Sequence, residues 1–289
     1  MSMPGSPPVA PPGWHFQPGV GRWLWWDGYR WIDPAATWSP IPPNAVSDPD
    51  EAPERWWPPL TPIRFPAAIV TAVFMVAMFA TQLWVAGSAD EMGLGTAVLG
   101  LVVLVMSVLG MPAVALACAH HWGSRGALRS IGVRVRWIDL PLGVVTAVVM
   151  YAAMIVINLL TLGFGAETGS NLEGVGADGI SGGYFLFLLV LAGLLAPITE
   201  ELLFRGTMLR GLLDKLGTWP SLIVQSVIFG SMHFTPDQGW GNVNLILSLS
   251  VLGLCLGIIT KATGRLGAAV IAHAIFNSAN LLLLWLVAA

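Results

Sequence analysis

Long apolar runs recur along this chain, starting near Pro66, Leu94, Ile138, Gly183, Pro220, Val243 and Gly267. As helices rising about 1.5 Å per residue, runs of this kind can cross about 30 Å of hydrocarbon. Only 10% of the 289 residues are charged, 55% are hydrophobic, and the mean hydropathy of +0.73 lies outside the range of soluble domains. The expected fold is therefore all-α: a polytopic membrane helix bundle of seven transmembrane helices, with a very small module at the N-terminus.

Basic residues set the expected orientation. Arg125, Arg129, Arg134 and Arg136 lie between spans two and three, Arg205, Arg210 and Lys215 between four and five, and Lys261 and Arg265 between six and seven. The alternate loops hold Asp90, Glu91, Glu167, Glu173, Asp178 and Asp237 and no Lys or Arg. This places the N-terminus in the cytoplasm, the C-terminus outside and the chain in the plasma membrane. The first sixty residues lack the short apolar segment of a cleavable signal, so the tail is expected to stay attached. Basic residues are dispersed over separate loops, which excludes a nucleic-acid stripe. Cys118 and Cys255 fall within spans and read as packing residues.

Three regions are expected: a Trp-rich module at 1–33, a Pro-rich linker at 34–65 and a transmembrane domain at 66–289. From Pro11 to Trp31, "PPGWHFQPGVGRWLWWDGYRW" alternates aromatics around Gly and Asp-Gly turn signals, as a small strand-and-turn module would. It resembles the short Trp-rich domain at the ends of many bacterial membrane proteins, a family that implies no known activity. Its aromatics read either as self-packing or as a surface for a protein partner.

Ionisable and imidazole groups at bilayer depth are costly, so each one is a functional candidate. Three clusters qualify: Glu200, Glu201 and Arg205; Phe229 and His233; His273 and Asn277. Glu201 and Arg205 are i, i+4 and can pair along one helix face, leaving Glu200 about 100° away. Pro197 predicts a kink or local opening just before the glutamates. A hairpin folded between Leu216 and Gly217 sets Glu200 and His233 at equal heights, within hydrogen-bond range if their faces agree. His273, Asn277 and Asn280 form one polar stripe.

A carboxylate beside an imidazole can hold a water, take its proton and help pass that proton to a leaving amine. A second His with an Asn supplies neutral donors for the oxyanion of a tetrahedral intermediate. Together these groups describe peptide-bond hydrolysis. Neither an H-E-x-x-H zinc motif nor an aspartyl-type G-x-G-D occurs.

The pattern E-E-x-x-x-R at Glu200, Glu201 and Arg205, F-x-x-x-H at Phe229 and His233, and H-x-x-x-N at His273 and Asn277 resembles the CAAX-protease and bacteriocin-processing family of intramembrane glutamic endopeptidases. The likeness covers about residues 140–289. It implies that Glu200 with His233 activates water and that His273 and Asn277 form the oxyanion hole. Glu201, Arg205 and Phe229 are supporting residues, and neither cofactor nor metal is called for. The partners expected are the lipid bilayer and a membrane-associated peptide or protein substrate.

Two other readings stay open on the residues alone. Two His and one Glu could ligate zinc, with its bound water as nucleophile. The motifs could instead maintain a non-catalytic scaffold or a bacteriocin-immunity protein. A transporter is disfavoured because no repeated pair of broken helices occurs. Phe229 reads as packing beside His233, and Asn158 and Gln225 as interhelical hydrogen-bonding residues. His15, His120 and His121 are assigned no site.

Overall fold

The computed structural model describes residues 13–19, 21–26, 31–32, 60, 62–88, 101–102, 104–124, 126–165, 167–170 and 181–288. Most of the Pro-rich linker and the start of the run near Leu94 lie outside these residues, as do Arg125 and the loop acids Asp90, Glu91, Glu173 and Asp178. Contacts divide the chain into two units, Met1–Arg55 and Trp56–Ala289.

In the first unit the alternating aromatics form an antiparallel sheet of β1 (Gly13–Gln17), β2 (Arg22–Trp26) and β3 (Trp31–Ile32), in the order β1-β2-β3. The two-residue period puts Trp14 and Phe16 on one face, opposite Trp25 and Trp23, and these ring pairs meet edge-on at 5.7 and 5.8 Å. On β2 the intervening Leu24 and Trp26 are buried, with Trp26 against Trp31 at 5.1 Å.

The second unit is a helix bundle, because in hydrocarbon a backbone must satisfy its own N–H and C=O groups. Its helices are α1 (Pro66–Ser88), α2 (Met111–Trp122), α3 (Asp139–Gly163), α4 (Gly182–Leu213), α5 (Thr218–Ser231), α6 (Gly241–Thr263) and α7 (Gly267–Ala288). Among the described residues five are long and apolar enough to cross a membrane: Pro66–Val85, Asp139–Gly163, Gly182–Leu213, Gly241–Thr263 and Gly267–Val287. Helix α5, with 14 residues, is about 21 Å long. Large apolar side chains such as Val76, Val148 and Leu159 point outward, as a lipid-facing surface requires.

Helix α6 is the centre of the bundle: half of its apolar window is buried (50%), against 17–22% for the other four. It packs on α3, α5 and α7. A Cβ on Gly230 of α5 would come within 2.5 Å of the Ile246 carbonyl, so a residue without a side chain allows α5 and α6 to touch. Asn158 and Gln225 bond across helices as the sequence suggested: Asn244 Nδ2 donates to Asn158 Oδ1 (2.8 Å), and Gln225 Nε2 donates to the Gly253 carbonyl (3.1 Å). Cys118 and Cys255 are free thiols, the first buried.

The structure corrects the charge inventory. Arg205 and Arg210, counted above as loop residues, lie within α4 and are buried. Arg205 is held by an ion pair and a carbonyl, while Arg210 donates to the Gly264 carbonyl at 3.1 Å. In this part of the chain only Lys215 remains of the three basic residues assigned to the loop. Arg265 is likewise clamped, its Nη2 lying 2.7 Å from Oδ1 of Asp139 at the start of α3.

Helix α4 is not regular. It is α-helical at Gly182–Leu188, π-helical at Leu189–Leu195, α-helical at Ala196–Leu203, π-helical at Phe204–Met208 and α-helical at Leu209–Leu213. A further π stretch, Met106–Gly110, precedes α2. This stretch and the first π stretch of α4 both run into a segment with proline near its start, Pro112 and Pro197. Proline has no N–H to return to the preceding turn, and the wider π register absorbs that loss.

Candidate active site

The segment Ala196–Leu203 carries both glutamates, and the helical period sends them to different surroundings. Glu201 is fully buried. Its Oε1 accepts from Arg205 Nη1 at 2.7 Å, the i, i+4 pair expected from the sequence. Arg205 Nη2 donates to the Gly253 carbonyl of α6 (3.0 Å), which Gln225 also engages. The guanidinium lies 4.6 Å from the centre of the Phe229 ring. Phe229 thus packs beside His233 (ring centres 5.1 Å apart) and also supports the buried arginine.

His273, from α7, places Nδ1 3.0 Å from the same Glu201 oxygen. Facing a carboxylate that already pairs with arginine, Nδ1 carries hydrogen and donates. His273 Nε2 is then directed to Glu200, 3.8 Å from its Oε2. A neutral ring held this way has its single N–H on Glu201, and an N–H at Nε2 requires the doubly protonated ring.

Glu200 Oε2 is buried with no hydrogen-bond partner, and so is Glu201 Oε2. Glu200 opens onto a cavity of about 130 Å³ whose lining includes His233, His273, Asn277 and Asn280. The hairpin argument brought Glu200 and His233 to the same cavity but erred on their bond. His233 Nδ1 donates to the Phe229 carbonyl at 2.9 Å, and the imidazole recorded nearest Glu200 is His273. The faces of the two helices did not agree, a matter that equal height leaves open. His233 keeps Nε2 for the cavity. Asn277 donates from Nδ2 to the Ala192 carbonyl in the π stretch (2.9 Å).

Three amide side chains beyond His233 that sequence reading passed over hold backbone at Thr235, Ser170 and Gly169. Asn242 accepts from Thr235 N–H (2.9 Å) and donates to the Thr235 carbonyl (2.7 Å). Gln238 does the same with Ser170, accepting from its N–H at 2.8 Å and donating to its carbonyl. Asn244 joins Gly169 to Asn158 and Thr161. Polar residues entering a span were the available signal. Among the described residues, no three His, Cys, Asp or Glu side chains stand as a metal-binding group.

Residues 182–279, from the start of α4 to Ser278 and Ala279 in α7, match the family model described as Type II CAAX prenyl endopeptidase Rce1-like. The match spans 98 of the 289 residues, and over that length the helical core is similar to CAAX-type proteases. That core contains every residue of the three motifs, and it is narrower than the 140–289 suggested by the resemblance, since α3 lies outside it. This likeness, together with the membrane-length helices, supports a CAAX-type membrane protease, a hydrolase of membrane-associated substrates. No curated protein and no solved structure matches the chain.

Proposed function

We propose that this protein is a glutamate-dependent intramembrane endopeptidase. The observation that carries the reading is the convergence of Glu200, His233, His273 and Asn277, from three separate parts of the chain, on one small cavity. Glu200 is the general base: its buried, unpartnered oxygen has a lone pair for the proton of a water as that water attacks the scissile carbonyl carbon. His233, with Nδ1–H committed to the Phe229 carbonyl and a lone pair at Nε2, takes up the proton that Glu200 removed from the water and passes it to the amine as the C–N bond breaks. The second N–H on Asn277 Nδ2 and, in the doubly protonated ring, Nε2 of His273 donate to the developing oxyanion. Glu201 and Arg205 fix the orientation of His273 rather than react.

The substrate class proposed is a peptide or protein held at the membrane. The protein is placed in the plasma membrane with a cytoplasmic N-terminus, and the Trp-rich module serves partner binding rather than chemistry. Comparative peptidomics of membranes from cells making the intact protein and the Glu200→Gln protein tests the reading. Cleavage products confined to the intact protein are expected. Identical peptide profiles, or purified enzyme that loses activity to a chelator and regains it with zinc, would replace the glutamate mechanism.

A further inference from the structure

The helix around Ala192 contains a carbonyl that has lost both of its possible partners within the helix. In an α register Ala192 O would accept from the N–H of residue 196, and in a π register from that of residue 197. The N–H of Ala196 is committed to the Leu191 carbonyl, the π pairing. Residue 197 is proline and has no N–H. A carbonyl left open at bilayer depth needs a donor from elsewhere. That donor is Asn277 Nδ2, 2.9 Å away on α7.

We infer that Pro197 is a positioning residue for Asn277, acting through the carbonyl it leaves open. The hydrogen bond to Ala192 fixes one N–H of the Asn277 amide and, because the amide is planar, fixes the direction of the other. That second N–H serves the cavity which Asn277 lines together with Glu200, His233 and His273. Pro197 does not line this cavity; Ala192 does, with its carbonyl taken by Asn277. The proline converts a helix carbonyl into an anchor for a group on another helix, which accounts for a helix breaker three residues before a catalytic glutamate. The functional half of this inference rests on the oxyanion role proposed above for Asn277, whereas the structural half does not.

The variant Pro197→Ala restores an N–H that competes with Asn277 for the Ala192 carbonyl and removes an unfavourable helix residue. It is expected to melt several degrees higher than the parent in detergent. With a quenched fluorescent peptide library as the probe in proteoliposomes, kcat is expected to fall about a hundredfold, the scale of an ångström misplacement of a catalytic group, with KM unchanged. Pro112→Ala makes the same backbone change at the π stretch before α2, which packs on the Ala196–Leu203 segment but lines no part of the cavity and makes no bond to Asn277, and is expected to leave kcat as in the parent. A loss of kcat with greater stability is a result that a merely structural role for Pro197 does not produce.

Melting temperatures of a double-mutant cycle decide the structural half without any activity. Asn277→Ala alone is expected to lower the melting point, because it orphans the Ala192 carbonyl. In the Pro197→Ala background the same change is expected to have little effect. Additive shifts would overturn the inference. So would full kcat in Pro197→Ala, or an equal loss of kcat in Pro112→Ala. Parent protein that cleaves no library peptide while the cycle still shows coupling would count against the endopeptidase reading and leave the anchoring of Asn277 standing.

Discussion

Two ion pairs with a buried carboxylate in the helical unit look alike by charge and differ in how completely they are satisfied. Asp139 and Arg265 form a closed set: Arg265 Nε donates to both carboxylate oxygens (2.8 and 3.0 Å), Nη2 approaches Oδ1 at 2.7 Å, and the Arg136 N–H donates to Oδ2 at 2.8 Å. Glu201 and Arg205 form an open set. One Glu201 oxygen serves both Arg205 and His273, the other has no partner, and a Glu200 oxygen beside them is also buried and unpartnered. Buried polar atoms without partners are costly, and a native structure keeps them where something else must bind or react. The first pair is a clamp between α3 and the α6–α7 turn. The second holds a reactive group in place.

The largest effect that can break this comparison is on rate. Glu200→Gln keeps shape and hydrogen bonding but cannot accept a water's proton, so turnover of a cleaved peptide should vanish while the melting curve stays that of the parent. Residual activity near the parent level would mean that the open carboxylate is not the base. His233→Ala and His273→Ala should abolish turnover as well.

Next come the two arginines. Removing one partner of a buried pair costs about 3–5 kcal/mol, since a charge is left uncompensated. Arg265→Ala should lower the yield and melting temperature while the folded fraction keeps the parent kcat. Arg205→Ala should lower yield and kcat together, because it releases Glu201 and with it the orientation of His273. Equal effects of the two substitutions on kcat would erase the distinction between clamp and site.

Asn277→Ala should leave a slow but measurable enzyme, because deleting one oxyanion donor raises a barrier by about 2.7–4 kcal/mol, roughly a hundred- to a thousandfold in rate. Complete loss would assign Asn277 a larger role than one donor. The smallest effect expected is from deleting residues 1–55, which carry none of the site groups: kcat on a short peptide should match the parent. A truncated protein of equal abundance with no turnover would overturn the division between module and core.

Much of the site was legible because helices repeat locally. The Glu201–Arg205 pair follows from i, i+4 spacing, and the stripe of His273, Asn277 and Asn280 follows from i, i+4, i+7; all three residues of the stripe line the cavity. Arg210 was counted with a loop but lies within α4, and Arg265 lies in the turn as read; sequence spacing does not reveal that Gly264 and Asp139 are there to receive them. The hairpin estimate brought Glu200 and His233 to one cavity, where no hydrogen bond joins them, since height along a helix does not set rotation about it.

What the sequence determined by itself is the helical, membrane-spanning character of the chain, the identity of its costly polar residues and the face each occupies on its own helix. These depend on apolar length, composition and a period of 3.6 residues, all short-range properties. What the tertiary structure alone decided is which faces meet. Glu201 reaches His273 across 72 positions, and Ala192 reaches Asn277 across 85. Such pairs are set by how α4, α6 and α7 pack and by where a proline widens the helix, and no local periodicity encodes contacts between helices that far apart in the chain.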